Sequence, residues 1–119
     1  MKEMIFSFKC ALNGLKIGFK REKNLRRHLL IVMLTSLLCM VLNLNSTEWA
    51  IVVICFGMVI ATEYINSAIE KLADHVTSET HPAIKVVKDI AAGAVLVTSI
   101  CAVIIAIIII LPKLIGALS

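Results

Sequence analysis

The 119-residue chain contains no GxxxxGK[ST] and no GxGxxG, so both glycine-rich loops that cradle phosphates in soluble proteins are missing. It has no HExxH and no Cys/His cluster, which removes the common zinc sites. Its cysteines, Cys10, Cys39, Cys55 and Cys101, lack CxxC spacing, and three lie in apolar runs, where a thiol behaves as a small hydrophobe. No linker, repeat or low-complexity stretch interrupts it beyond the Ile-rich run 104–110, so a single domain over 1–119 is expected. Charge is absent from the 22 residues Ile90–Leu111, a length that crosses a hydrocarbon core of about 30 Å at about 1.5 Å per residue.

What is abundant is apolar: 60% of residues are hydrophobic and the mean hydropathy is +0.97, values of a membrane protein. Besides Ile90–Leu111, apolar runs cover Leu29–Leu44 and Trp49–Ala61. The first has 16 residues and must borrow from its flanks or sit in a thin bilayer. It begins too far into the chain, and without a small-x-small site, to be a cleaved signal peptide. The second crosses only if Thr62–Ile69 stays helical. Ile5, Phe8, Leu12, Leu15 and Phe19 recur at helical spacing, which predicts an amphipathic helix on the membrane surface over 4–20. Gly14 and Gly18 offer it close approach to another helix. The expected fold is all-α, with transmembrane helices at about 28–45, 48–75 and 86–112. Lys20–Arg27 reads as a basic hinge, Ser46 or Thr47 as the cap of the second span, Trp49 as an interface anchor, and Pro82 as the start of the third span. Small residues at Ala91-Ala92-Gly93-Ala94 allow helix backbones to approach.

Eight of the twelve Lys/Arg residues lie within 1–28, none in the turn 43–48, and three in Lys71–Lys88. The positive-inside rule then puts the N-terminus and the 70–89 connection on the cytoplasmic side of a plasma membrane, with Lys113 a mild exception. The net charge of +4 reads as topology and attraction to anionic lipid, not as nucleic-acid binding.

Against this apolar background Thr62–Asp74 carries Glu63, Asn66, Glu70 and Asp74, which share an arc of about 80° on one helix face. A charge at the bilayer centre costs from about 2.5 to well over 10 kcal/mol, depending on the measure, so a membrane helix keeps one mainly for binding or chemistry. Together with Glu22, Glu79, Asp89, Asn24, Lys85, Lys88 and His81, these residues supply hard oxygen donors, amides and cations near one interface. Mg²⁺ typically takes one or two carboxylates plus substrate phosphates, cations stabilise a transferring phosphoryl group, and a carboxylate can accept a hydroxyl proton. The inventory fits phosphoryl transfer to a membrane-embedded alcohol. Three thin helices cannot bury so many polar groups alone, so a homo-oligomer is implied.

The bland readings stand beside these. Glu63 can be a structural carboxylate paired with Lys, Glu70 an ordinary interfacial acid, and Asn66 an interhelical hydrogen-bonder. Glu22 sits in a basic cluster, where pairing with Lys or Arg rivals metal binding; Lys88 and Asp89 are common at helix starts; and His28 and His81 can simply anchor an interface. A cation-coupled transporter using the acidic stripe is a second function class, and a non-catalytic scaffold a third. The acids cluster at one interface instead of spanning the bilayer, which argues against transport.

The order Glu63-x-x-Asn66-Ser67-Ala68-Ile69-Glu70-x-x-x-Asp74, His81-Pro82 and Lys88-Asp89-x-Ala91-Ala92-Gly93-Ala94-Val95 resembles the small bacterial integral-membrane diacylglycerol kinase family over nearly the whole chain. Ser7-Phe8, Gly14-Leu15, Glu22-x-Asn24-x-x-x-His28 and His81-Pro82-x-x-Lys85-x-x-Lys88-Asp89 are similar to its Gram-positive branch, associated with undecaprenol kinase activity. The resemblance implies a homotrimer with shared active sites that uses ATP and Mg²⁺ to phosphorylate a lipid alcohol, undecaprenol first and diacylglycerol as the alternative. It makes Glu63 the general base, Asn66 its positioning partner, and Glu70 and Glu22 the metal ligands. Lys88 would contact phosphate, and Asp89, Glu79 and His81 would surround the nucleotide, with Asp74 in support. The basic N-terminal residues depart from the Gram-negative pattern, so no ATP contact is assigned to any one of them.

Overall fold

The computed structural model describes all 119 residues, and every regular element is helical. Helix α1 spans Lys2–Arg21 and buries none of its own residues. It ends because Glu22 takes an extended conformation (φ −106°, ψ 110°). The carbonyls left unpaired by that end are capped from downstream: Arg26 Nη1 donates to Phe19 O and Lys20 O, each at 2.8 Å. Because Arg26 folds back in this way, the chain turns at one residue. The eight-residue basic hinge expected at Lys20–Arg27 is therefore confined to Glu22, and helix α2 resumes at Lys23 and runs to Val41. The short first apolar run does borrow from its N-terminal flank.

At the other end Asn43 adopts φ 55°, the left-handed conformation that Asn tolerates better than most residues. Helix α3, Ser46–Val76, then starts from a capping box: Glu48 N donates to Asn45 Oδ1 (2.9 Å), and Asn45 N donates to a Glu48 carboxylate oxygen (3.0 Å). The cap is thus Asn45, not Ser46 or Thr47, because only position 45 has an acid three residues ahead of it. The 31 residues of α3 extend about 46 Å, so the helix overruns a hydrocarbon core of about 30 Å by several turns.

Helix α3 persists to Val76 and the next helix starts at Pro82, as expected from the position of the proline. His81 Nδ1 accepts from Ala83 N at 3.2 Å, Pro82 occupies the first turn, and α4 runs Pro82–Ile105. A π-helical turn at Ala106–Ile110 precedes α5, Leu111–Leu118. Pro112 has no N–H and its ring crowds the carbonyl four residues back, which accounts for a widened turn at that point. Pro82–Leu118 forms one 37-residue apolar helical stretch and, with Lys23–Val41 and Ser46–Val76, gives three helices long and apolar enough to cross a membrane.

Helices α3 and α4 run antiparallel. They are tied by Lys88–Asp74 near the connection and by Thr62 Oγ1 and Thr98 Oγ1 at 3.0 Å midway, while Lys113 of α5, which continues α4, meets Glu48 at 3.3 Å at the far end. Lys113, the exception to the charge pattern, is thereby neutralised. Around that far end Cys39, Leu44, Val52, Ile109 and Ile110 form the apolar core. All four cysteines are free; Cys39 and Cys55 are buried, whereas Cys10 and Cys101 are exposed. Of the small-residue run on α4, Ala91 is buried, and a Cβ at Gly93 would meet nothing within 4 Å.

Candidate active site

The polar face of α3 is buried in a gradient. Glu63 and Asn66 are 4% and 8% exposed, Glu70 is half-buried, and Asp74 stands in the open. Two groups of functional side chains result, separated along the helix axis: Glu63 and Asp74 are eleven residues apart, about 16 Å.

The inner group comprises Glu22, His28, Glu63, Asn66 and Glu70. His28 Nε2, from the first turns of α2, lies 3.6 Å from Glu63 Oε2. Asn66 Nδ2 donates to Glu70 Oε1 at 3.4 Å, a long bond, while Asn66 Oδ1 is buried with no hydrogen-bond partner. Leaving such an acceptor unpaired costs about 1–3 kcal/mol, which a fold tolerates where a ligand or its water completes the bond. Glu22 projects from the α1–α2 junction and meets Lys71 Nζ at 3.0 Å. The pairing foreseen for Glu22 therefore exists, but its partner lies on α3 and not in the neighbouring basic cluster. Glu63 is likewise paired, with His28 in place of a lysine.

The outer group surrounds a cavity of about 210 Å³ beneath the α3–α4 connection, walled by Asp74, Thr77, Glu79, His81, Lys85 and Lys88. Lys88 is hydrogen-bonded to Asp74. Asp89 does not line this cavity; it turns to Lys85, 2.6 Å away, in an exposed i,i+4 pair. Asn24 accepts a 3.3 Å hydrogen bond from Arg27 and joins neither group.

Three residues that the sequence did not single out for the site hold α1 against it. Tyr64 Oη donates to Leu15 O at 2.8 Å, Lys71 reaches Glu22, and Arg26 closes the end of α1. A Cβ on Gly18 would sit 2.3 Å from Tyr64 Cε1, so the glycine is what lets the ring lie there. Gly14, the other glycine proposed for close approach, faces open space. Tyr64 and Lys71 are seven residues apart on α3, and that spacing was the available signal. An apolar groove of about 360 Å³ runs along this junction between Gly14, Leu15, Tyr64 and Ala68.

No three His, Cys, Asp or Glu side chains converge closely enough to form a complete metal cage. The donor set nonetheless suits Mg²⁺ in kind. Apart from His28 it is hard oxygen, includes the unpartnered Asn66 Oδ1, and offers the one or two carboxylates that this ion uses when phosphates and water fill the remaining positions.

Three helices of spanning length, one of them carrying a buried acid and leading to a cavity walled in part by Lys85 and Lys88, mark an integral-membrane protein. The sequence model of the family described as prokaryotic diacylglycerol kinase matches residues 9–110, and the chain belongs to that family. It is 34% identical over 108 residues to an undecaprenol kinase of Bacillus subtilis, covering 91% of this chain and 88% of that protein. It is 30% identical over 114 residues to a diacylglycerol kinase of Synechocystis, covering 95% of this chain and 65% of that protein. A diacylglycerol kinase of Helicobacter pylori is 31% identical over 85 residues, 71% of this chain and 66% of that protein. The chain is a lipid kinase, and membership of a kinase family implies ATP as the phosphoryl donor.

Proposed function

We propose that this protein is an undecaprenol kinase that transfers the γ-phosphate of ATP to the lipid hydroxyl at the cytoplasmic face of the membrane. The observation that carries the reading is the buried Glu63–Asn66 pair on a helix of spanning length, with an unsatisfied amide oxygen beside the acid. In the proposed reaction Glu63 accepts the hydroxyl proton as the lipid oxygen attacks the γ-phosphorus. The bond from that phosphorus to the β,γ-bridging oxygen breaks, and ADP leaves. Asn66 positions the acid. Lys88, freed from Asp74, pairs with phosphate oxygens, and Glu79, His81 and Asp89 surround the nucleotide at the cavity. Glu22 and Glu70 would hold Mg²⁺, which would offset charge on the phosphate oxygens. The groove between α1 and α3 gives a hydrocarbon chain a route to the inner group from the lipid side.

The lone chain supports an oligomeric reading, with α1 on the membrane surface. Only 14 of 119 residues are buried, and Asp74, Glu79 and Asp89 face outward, so closing the site requires neighbouring copies; the proposed assembly is a homotrimer with shared sites. Undecaprenol is preferred because the Bacillus subtilis relative matches over 88% of its length, against 65% and 66% for the two diacylglycerol kinases. Purified protein in mixed micelles, given γ-labelled ATP and either undecaprenol or diacylglycerol, tests both the reaction and the substrate. Label is expected in undecaprenyl phosphate at the higher kcat/KM. Faster labelling of diacylglycerol would move the assignment to the second lipid, and label in neither would end the kinase reading.

A further inference from the structure

Three acids of the site are paired with side chains of the same chain: Glu22 with Lys71, Glu63 with His28, and Asp74 with Lys88. The Glu22–Lys71 pair differs from the other two in where it acts. Glu22 is the single non-helical residue between α1 and α2, and its side chain makes no capping bond to either helix. Its carboxylate is held instead by Lys71, the residue that follows Glu70 on α3. The two side chains are 22% and 53% exposed, so water screens the pair and its attraction is modest. A lysine ammonium is a compact, strongly hydrated point charge on a flexible stem, which a divalent cation of higher charge density can replace at a carboxylate.

We propose that Lys71 is a tethered cation that competes with the divalent metal ion for Glu22, so that metal loading releases the α1–α2 hinge from α3. This rests on the assignment of Glu22 to the metal. Lys71 is a positioning residue here, since it acts through Glu22. After exchange α1 keeps Tyr64 Oη on Leu15 O as its remaining polar tie to α3, and Arg26 still closes its end. The same pair holds the Glu22 carboxylate toward α3. Without a partner, an acid at a one-residue hinge among Arg21, Lys23 and Arg26 would fold toward that basic cluster.

The test is Mn²⁺ binding to the full-length protein without nucleotide, followed by the electron paramagnetic resonance signal of free Mn²⁺. Lys71→Met and Lys71→Gln are expected to lower the half-saturating concentration about two- to fivefold, the range an exposed ion pair is worth. Lys71→Arg should stay at the wild-type value, and the gain should vanish in Glu22→Gln/Lys71→Met. Equal affinity in wild type and Lys71→Met, or the same gain in the Glu22→Gln background, would overturn the exchange, the second outcome being a general charge effect. Wild-type Mn²⁺ affinity and wild-type turnover in Glu22→Gln alone would overturn instead the metal role of Glu22.

Discussion

Polar side chains deep in an apolar helix bundle have to be satisfied by the fold or by what it binds. Thr98 is satisfied by Val95 O and by Thr62, whereas Asn66 retains a buried oxygen with no donor, next to the most deeply buried acid of the chain. That contrast supports the proposed ligand-contacting role for Asn66 and a packing role for the Thr62–Thr98 pair. Lys88 is proposed to contact phosphate. Its ion pair with Asp74 lies on the wall of the outer cavity, so its cation faces the space assigned to the nucleotide. Lys88→Met is expected to raise KM for ATP by about tenfold or more, as for a lost charge-assisted hydrogen bond, and to leave KM for the lipid unchanged. Steady-state kinetics with each substrate varied in turn checks this; a larger change in lipid KM would place Lys88 elsewhere. The acid positions were legible from sequence because membrane helices seldom carry carboxylates. Their partners were not, since His28 and Lys71 are ordinary interfacial residues until the fold brings them to Glu63 and Glu22.

At the scale of elements, α1 is attached through few contacts, and one of them depends on a missing side chain. Gly18→Ala would place a methyl group 2.3 Å from the Tyr64 ring and force the ring off Leu15. Loss of that hydrogen bond costs about 1 kcal/mol, with overpacking adding about 1–3 kcal/mol. Hydrogen exchange should therefore quicken in α1 for Gly18→Ala and leave α3 protected. In Gly18→Ala/Tyr64→Ala the two effects should be non-additive, because the clash disappears with the ring; strict additivity would mean that the residues do not touch. Periodicity and apolar runs were enough to anticipate four helical segments. The ends were less readable, because each depends on one side chain: Arg26 shrinks the first hinge to a residue, the Asn45–Glu48 box shifts a cap, and Pro112 widens a turn within an apolar run that looks uniform.

For the whole molecule, the main physical fact is surface. Long apolar residues such as Ile31, Ile54, Leu96 and Ile107 are half exposed or more, as lipid-facing helices permit, yet the acids at the α3–α4 connection are open as well. Lipid satisfies the first and not the second, which is why neighbouring copies are expected to complete the site. Chemical cross-linking in bilayers, read by denaturing electrophoresis, should give a ladder that stops at three chains; a ladder stopping at one would remove the shared site. Bilayer orientation and substrate choice lie at this scale too, and the sequence approached them through its lysines and arginines and through family resemblance, because neither lipid nor nucleotide leaves a pattern in apolar runs. The central claim is that Glu63 takes the proton of a lipid hydroxyl during phosphoryl transfer. Its most direct test is the rate of undecaprenyl phosphate formation by wild type and Glu63→Gln in the same bilayers at saturating ATP. The substitution is nearly isosteric, so folding should persist while kcat falls by about 100- to 10,000-fold, the usual worth of a general base. A folded Glu63→Gln protein turning over at the wild-type rate would contradict the account.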